Sequence, residues 1–187
     1  MNYYKFNFQI GGDIVNRRTG ENNENERTRS LNQLTNLNIN CDDTFGIKRY
    51  RLLRNGENIY YDYNCINNPN PKPEQQNKST RNDYGTGQNI YLDRHNLDCE
   101  RRPITQINLT RPDKSTLQFD YKCGNIGLTN ITEHDTGYND YGDGDNVYLD
   151  RHNVVCPGEK ILTQIKLNTE QPNNQIRYNY KCGELPH

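Results

Sequence analysis

The tetrad Asp-Arg-His-Asn occurs twice in this chain, at 93–96 and again at 150–153. A carboxylate and an imidazole two residues apart on an extended strand point to one face. Such a pair can hold a metal ion, or act as a general base with the carboxylate orienting the ring. Asp93 with His95, and Asp150 with His152, are therefore candidates for a binding face. A second candidate lies just upstream of the later tetrad. The run Asn139-Asp140-Tyr141-Gly142-Asp143-Gly144-Asp145-Asn146 puts oxygen side chains on a glycine-bearing turn. These are the materials of a Ca²⁺ site, with Asp140, Asp143 and Asp145 as its ligands.

Each candidate also has a plainer reading. The acidic run recurs as Asn82-Asp83-Tyr84-Gly85-Thr86-Gly87-Gln88-Asn89, where Thr86 and Gln88 replace Asp143 and Asp145 and remove two charges. EF-hand spacing and its closing Glu are absent, and Asn, Asp and Gly form turns for backbone reasons alone. The histidines can be tested by alternation. Cys99, Leu97, His95, Asp93 and Tyr91 share one parity; counting back from Cys41 gives Ile39, Leu37, Thr35 and Gln33. Leu37 thus stands where His95 and His152 stand. A position that accepts Leu reads as packed, with the ring nitrogens bonded to backbone or to the neighbouring Asp. Arg94 and Arg151 would face the other way. No nucleophile elbow, P-loop or Cys-x-x-Cys zinc motif occurs, so a non-enzyme is expected, with no cofactor beyond the Ca²⁺ candidate.

The elements that must position these residues are marked by cysteines. Cys41 and Cys65 are 24 apart, Cys99 and Cys123 are 24 apart, and Cys156 and Cys182 are 26 apart. Tyr91-Leu92-Asp93-Arg94-His95-Asn96 returns 57 residues later as Tyr148-Leu149-Asp150-Arg151-His152-Asn153. Self-similarity at a fixed period means one small unit copied. Repeat 1 is read at 31–65, repeat 2 at 82–124 and repeat 3 at 139–187. Residues 1–30 supply an N-terminal strand (Tyr4, Phe6, Phe8 and Ile10 alternate) and a charged, mobile loop over 16–30. Residues 66–81, with Pro69, Pro71 and Pro73, read as an exposed connector, and 125–138 as a second one.

Each repeat ends in a strand of strict period 2: Ile59, Tyr61, Tyr63, Cys65; Leu117, Phe119, Tyr121, Cys123; Ile176, Tyr178, Tyr180, Cys182. The preceding strands carry Tyr50 and Leu52, Ile107 and Leu109, and Ile165 and Leu167, so each repeat contains a β-hairpin. Asn55-Gly56 is the turn signal in the first; longer turns with Pro112-Asp113 and Pro172-Asn173-Asn174 are expected in the others. A further strand leads into each first cysteine. Pairing within repeats, 41–65, 99–123 and 156–182, is the simplest of the 15 possible schemes. The fold class is all-β, with three repeats of about 57 residues as a pseudo-threefold β-prism or trefoil-like barrel and one disulfide per repeat.

Composition sets the limits. The 187 residues are 30% hydrophobic, with one Met, no Trp and 14 Tyr, against roughly 45–50% in ordinary soluble domains. A thin core is a reason for cross-links, and disulfides belong to oxidising compartments. A secreted or surface location is expected, a virion surface included; a cytosolic chain with reduced cysteines is the rival. Residues 1–10 lack the charged and apolar regions of a leader, so on the secreted reading a leader has been removed or lies outside this chain. Sequons at Asn77, Asn108 and Asn130 are candidate glycosylation sites in an Asn-rich chain. Net charge is −1 with both signs scattered, which excludes the basic footprint of a nucleic-acid binder, and no transmembrane segment is expected.

The repeat plan, together with Cys41-Asp42-Asp43-Thr44 followed by the strand Ile47 to Leu52, resembles the vitelline membrane outer layer protein family. That family is built as a three-repeat, disulfide-bonded β-prism. The plan is also similar to prism modules appended to some pore-forming proteins. The glycine-rich inner motifs of plant prism lectins are missing, and the resemblance assigns no functional residue. The expected function is a non-catalytic structural or adhesive component of a coat, fibre or extracellular layer, with other protein subunits as partners. The alternatives are a glycan-binding module, suggested by Tyr rings and Asn/Asp loops, and a membrane-docking module.

Overall fold

The structure, a computed structural model, describes residues 13–23, 30–56, 58–67, 75–170 and 173–186. Within them the chain is all-β, with short 3₁₀ helices between strands. The first segment runs β1 (Ile14–Arg18), β2 (Asn22–Asn23), a 3₁₀ helix over Leu31–Asn36, β3 (Ile39–Asn40), β4 (Thr44–Asn55) and β5 (Asn58–Asn67). The second runs β6 (Gln76–Asp83), a 3₁₀ helix over Asn89–Arg94, β7 (Asn96–Asp98), β8 (Ile104–Asp113) and β9 (Thr116–Cys123). The third runs β10 (Thr129–Asp135), β11 (Asn139–Asp140), 3₁₀ helices over Gly142–Gly144 and Asn146–Arg151, β12 (Asn153–Val155), β13 (Ile161–Glu170) and β14 (Gln175–Glu184).

Three antiparallel sheets result. Each is built on one hairpin, β4–β5, β8–β9 or β13–β14, and each second hairpin strand takes an edge strand from its own segment: β1 and β2, β6, or β10 and β11. The other edge is supplied from elsewhere. β3 of the first segment pairs with β8 of the second, β7 of the second with β13 of the third, and β12 of the third with β4 of the first. The short strand that leads into each cysteine is thus given away, and the exchange closes in a ring.

The alternation in the hairpins does what it predicts. Ile59, Leu117 and Ile176 are fully buried, as are the bridged cysteines, and Tyr63, Tyr121 and Tyr180 are nearly so. Burying an Ile or Leu side chain contributes roughly 1.5–3 kcal/mol, and the inward rows of all three hairpins share one interior. The bridges pair as expected, Cys41–Cys65, Cys99–Cys123 and Cys156–Cys182, with Cα separations of 5.7, 5.5 and 5.7 Å.

Several expectations are corrected. Residues 16–18, read as loop, belong to β1, which pairs with β5 from Ile14↔Ile66 to Arg18↔Asp62; residues 24–29 lie outside the described residues. Residues 76–81, read as connector, form β6 along the whole of β9, and 129–135, also read as connector, form β10. β6 is polar on both faces, and β1 and β10 have too few apolar residues to alternate; ladder hydrogen bonds and cross-strand pairs hold them. Pro69, Pro71 and Pro73, the N-terminal Tyr4–Ile10 and Pro172 lie outside the described residues. Pro112 is not in a turn: β8 shifts register between Thr110 and Asp113, and the chain reverses after Asp113, whose Oδ1 accepts from both N–H and O–H of Ser115 at 2.8 Å. A bulge is where a strand tolerates proline. Asp93 and Asp150 are not on strands but in the 3₁₀ helices, so the i, i+2 geometry expected for the Asp–His pairs does not arise.

A bridge closing a loop of this length contributes roughly 3–4 kcal/mol on the chain-entropy model. The double variant Cys99→Ala/Cys123→Ala is expected to melt roughly 10 °C below the parent, and a non-reducing peptide map to recover only the three bridged pairs named above. A bridge joining Cys65 to Cys99 would contradict this layout.

Candidate functional site

His95 and His152 each follow a 3₁₀ helix, at the point where the chain turns extended into β7 or β12. Both are 1% exposed. His95 Nδ1 lies 2.6 Å from Thr80 Oγ1 on β6, and His152 Nδ1 lies 2.8 Å from Thr136 Oγ1. Thr136 Oγ1 already accepts from the Tyr178 N–H (3.1 Å). The Thr136 hydroxyl also reaches the Gly137 carbonyl at 3.4 Å, so it can donate there or to Nδ1, and the ring tautomer follows that choice. Neither Nε2 has a hydrogen-bond partner among the described residues. The rings meet Phe119 and Tyr178 edge-to-face, at 5.1 and 5.8 Å. Burial pushes both imidazoles down, to about 4, so they are neutral at pH 7.

The aspartates expected beside them go elsewhere. Asp93 accepts from Thr169 Oγ1 (2.9 Å) and Asp150 from Arg54 Nε (2.7 Å), both on the hairpins of neighbouring segments. The structure therefore does not bring the paired carboxylate and imidazole together. Leu37 occupies the matching place in the first segment and is buried, and Thr19 there keeps the same backbone bonds that Thr136 makes to Tyr178 and Gly137. Thr19 Oγ1 accepts from the Tyr61 N–H and donates to the Gly20 carbonyl, each at 3.0 Å. Arg94 and Arg151 lie over the Tyr91 and Tyr148 rings, 4.4 and 4.1 Å from their centroids, and Arg94 also pairs with Asp83.

The acidic run has a local architecture of its own. Asp140 Oδ1 accepts from the Gly142 N–H (2.8 Å) and Asp145 Oδ1 caps Val147 N–H (3.1 Å); Asp143 is exposed at φ +55°. Gly142 and its counterpart Gly85 have φ +61° and +58°, and a Cβ on either would stand 2.1 Å from the ring of Tyr148 or Tyr91. The glycines are required because a tyrosine ring lies on the bare backbone. Among the described residues no three His, Cys, Asp or Glu side chains converge as a metal site. Of the sequons, Asn77 is exposed on β6, Asn108 is half-buried on β8, and Asn130 is exposed with its Nδ2 donating to Glu184 (2.7 Å).

Two kinds of concavity remain. Between the sheets a cavity of about 40 Å³ is lined by Leu37, Tyr50, Tyr61, His95, Phe119 and Tyr178, among others. Burial holds the phenols of Tyr50, Tyr61 and Tyr178 far above their ordinary pKa, hence neutral, and the volume suits a water or two, not an organic ligand. On the outward faces of two sheets lie polar grooves of about 440 and 420 Å³. They are equivalent by register. Ser79, Asp120 and Asn108 form one row across β6–β9–β8; Asp135, Asn179 and Lys166 form the matching row across β10–β14–β13. Sequence reading missed these residues. Alternation marks them as outward, but nothing in the sequence says which strands flank them. No family model, no curated protein and no solved structure matches this chain.

Two measurements follow. Each histidine's folded pKa is depressed, so its contribution to stability is whole above pH 6.5 and is lost as pH falls from 6.5 to 4. The loss is about 2 kcal/mol per histidine at pH 5. His95→Leu/His152→Leu is expected to fold and to lack this acid limb in urea melts at pH 7 and pH 5; an unchanged limb would show that the imidazoles are not its source. Gly142→Ala is expected to destabilise by about 2 kcal/mol or more through strain and ring displacement, with no recovery in millimolar Ca²⁺. Recovery by Ca²⁺ would restore the metal reading of the loop.

Proposed function

We propose that this chain is a non-catalytic scaffold. Its three repeats stand around a pseudo-threefold axis as a β-prism, and it is secreted or displayed at a surface as a structural or adhesive component of a coat, fibre or extracellular layer. The observation that carries this reading is the closed ring of exchanged strands combined with bridges buried inside it. Each cysteine pair ties a strand given to one sheet to the hairpin of another. A prism of three sheets accounts for that exchange; a trefoil-like barrel does not require it. Fully buried disulfides support an oxidising compartment. The candidate chemistry supports a non-enzyme, because the imidazoles are shut from solvent and Asp93, Asp140, Asp145 and Asp150 are occupied by turns, caps and inter-segment ties. The partners are other protein subunits, copies of this chain included. The membrane-docking alternative has little to draw on: Ile14 and Tyr138 are the exposed large hydrophobic residues among those described, and Tyr138 lies under Arg177.

The test is assembly without ligand. Fully oxidised protein, concentrated and followed by sedimentation velocity and negative-stain microscopy, is expected to form ordered polymers or sheets that dissolve when the bridges are reduced. A chain that stays monomeric at every concentration and ionic strength tried removes the assembly reading.

A further inference from the structure

We infer that the two outward grooves are binding sites for short neutral saccharides. Their volumes, about 440 and 420 Å³, lie in the range of small-ligand sites, but such sites are ordinarily apolar, and these are not. They are lined by amides, hydroxyls and charges, the groups that both donate and accept to a polyhydroxylated ligand. Much of this lining is unused by the fold. Among the described residues Asn77, Ser79 and Asn108 in one groove, and Asn168 in the other, make no side-chain hydrogen bond. Gln106 Oε1 and Asn179 Oδ1 are acceptors without a partner, each with almost no accessible surface as placed. A ligand hydroxyl meets them only when the amide turns toward the groove.

The charges argue for a neutral ligand. Lys122 pairs with Asp42, Lys181 with Glu133 (2.9 Å) and Asp135 with Arg177 (3.8 Å). Lys78 donates to the Asp98 carbonyl (2.9 Å). Lys166 and Asp120 are the exceptions, without ion-pair partners among the described residues; the Asp120 carboxylate accepts from Thr110 Oγ1 (3.1 Å) and Gln118 Nε2 (2.6 Å) instead. The His134 ring, stacked on Tyr180 at 5.5 Å, belongs to the inward side of its sheet, so the outward row is read from amides and charges alone.

The third sheet is a built-in control. Arg49 and Arg51 stand where the grooved sheets have Gln106 and Asn108, or Gln164 and Lys166. Arg49 donates to Asp62 (2.8 Å), Asn64 (3.3 Å) and Asn153 (3.2 Å), and Arg51 to the Asp150 carbonyl (3.0 Å). That face is locked by its own side chains. One chain therefore carries two sites, and ligands presented on a surface would be held by both, with the gain of bivalency. This inference stands apart from the assembly reading, and either can fail alone.

The experiment uses oxidised protein from a host that does not glycosylate, so that Asn77 and Asn108 are bare. It is applied to a printed array of neutral chito-, cello-, manno- and galacto-oligosaccharides beside acidic glycans, and the strongest hit is titrated calorimetrically. Capture of a neutral oligosaccharide at two sites per chain is expected. Asn108→Leu and Asn179→Leu point outward and, with melting temperatures unchanged, should each remove one site; the double variant should lose binding at least roughly tenfold. No retained neutral oligosaccharide, capture of acidic glycans only, or full binding by the folded double variant would each overturn the proposal.

Discussion

Every sheet in this protein is finished by a strand too short to stay there alone. β3 has two residues and β7 and β12 have three each, well under the usual five or six. What fixes them is the cysteine that follows. Cys41 donates its N–H to the Thr105 carbonyl of the second segment (2.7 Å) while its sulfur is bonded to Cys65 on the first hairpin. Cys99 and Cys156 repeat the arrangement, donating to Thr163 and Lys48. Each disulfide is therefore a link between adjacent sheets rather than within one, and three links close the ring. Reduction would not merely lengthen loops; it would release the donated edge of each sheet.

Two further rings reinforce the first. At one position of each hairpin a side chain reaches the asparagine beside the donated strand: Arg49 to Asn153, Gln106 to Asn38, Gln164 to Asn96. Toward the 3₁₀ helices, Leu31 N–H donates to Gly87, Asn89 Nδ2 to Tyr141 and Asp145, and Asn146 Nδ2 to Ser30 and Gln33. A chain with 30% hydrophobic residues cannot rely on core volume alone, and hydrogen bonds repeated around a ring supply part of the difference. The arrangement has a kinetic cost. The hairpins are local, but the β12–β4 pair joins residues about a hundred positions apart, and non-local pairing of this kind slows folding.

The cysteine pairing, the three hairpins and the inward rows were legible because each depends on near neighbours or on exact repetition. The burial of His95 was legible too, through Leu37 at the matching place. The edge strands were not. Nothing in Gln76-Asn77-Lys78-Ser79-Thr80-Arg81-Asn82-Asp83 signals a strand except that β9 lies beside it. The 3₁₀ helices were read as extended because parity was carried through them from the cysteines; the apolar residues Leu34, Leu92 and Leu149 that anchor them are too few to set a period. The exchange of lead strands was invisible, since two or three residues carry no address, and the outward grooves, which depend on that exchange, were invisible with it.

Where copies agree, their residues serve the fold; where copies part, a constraint has been lifted or a new one imposed. Inside, Leu37 against His95 and His152 is such a departure, and Thr19 in that segment is left with its backbone bonds alone. Outside, Arg49 and Arg51 against Gln106 and Asn108 or Gln164 and Lys166 is another, and it is not neutral. Two arginines weld one face shut with four hydrogen bonds to side chains and backbone, while amides and a lysine at the same positions leave two faces open with unspent donors and acceptors. The fold does not need open faces, since the welded one completes its sheet as well as the others do. Polar capacity that a scaffold builds twice and does not use on itself is where a partner has most to gain.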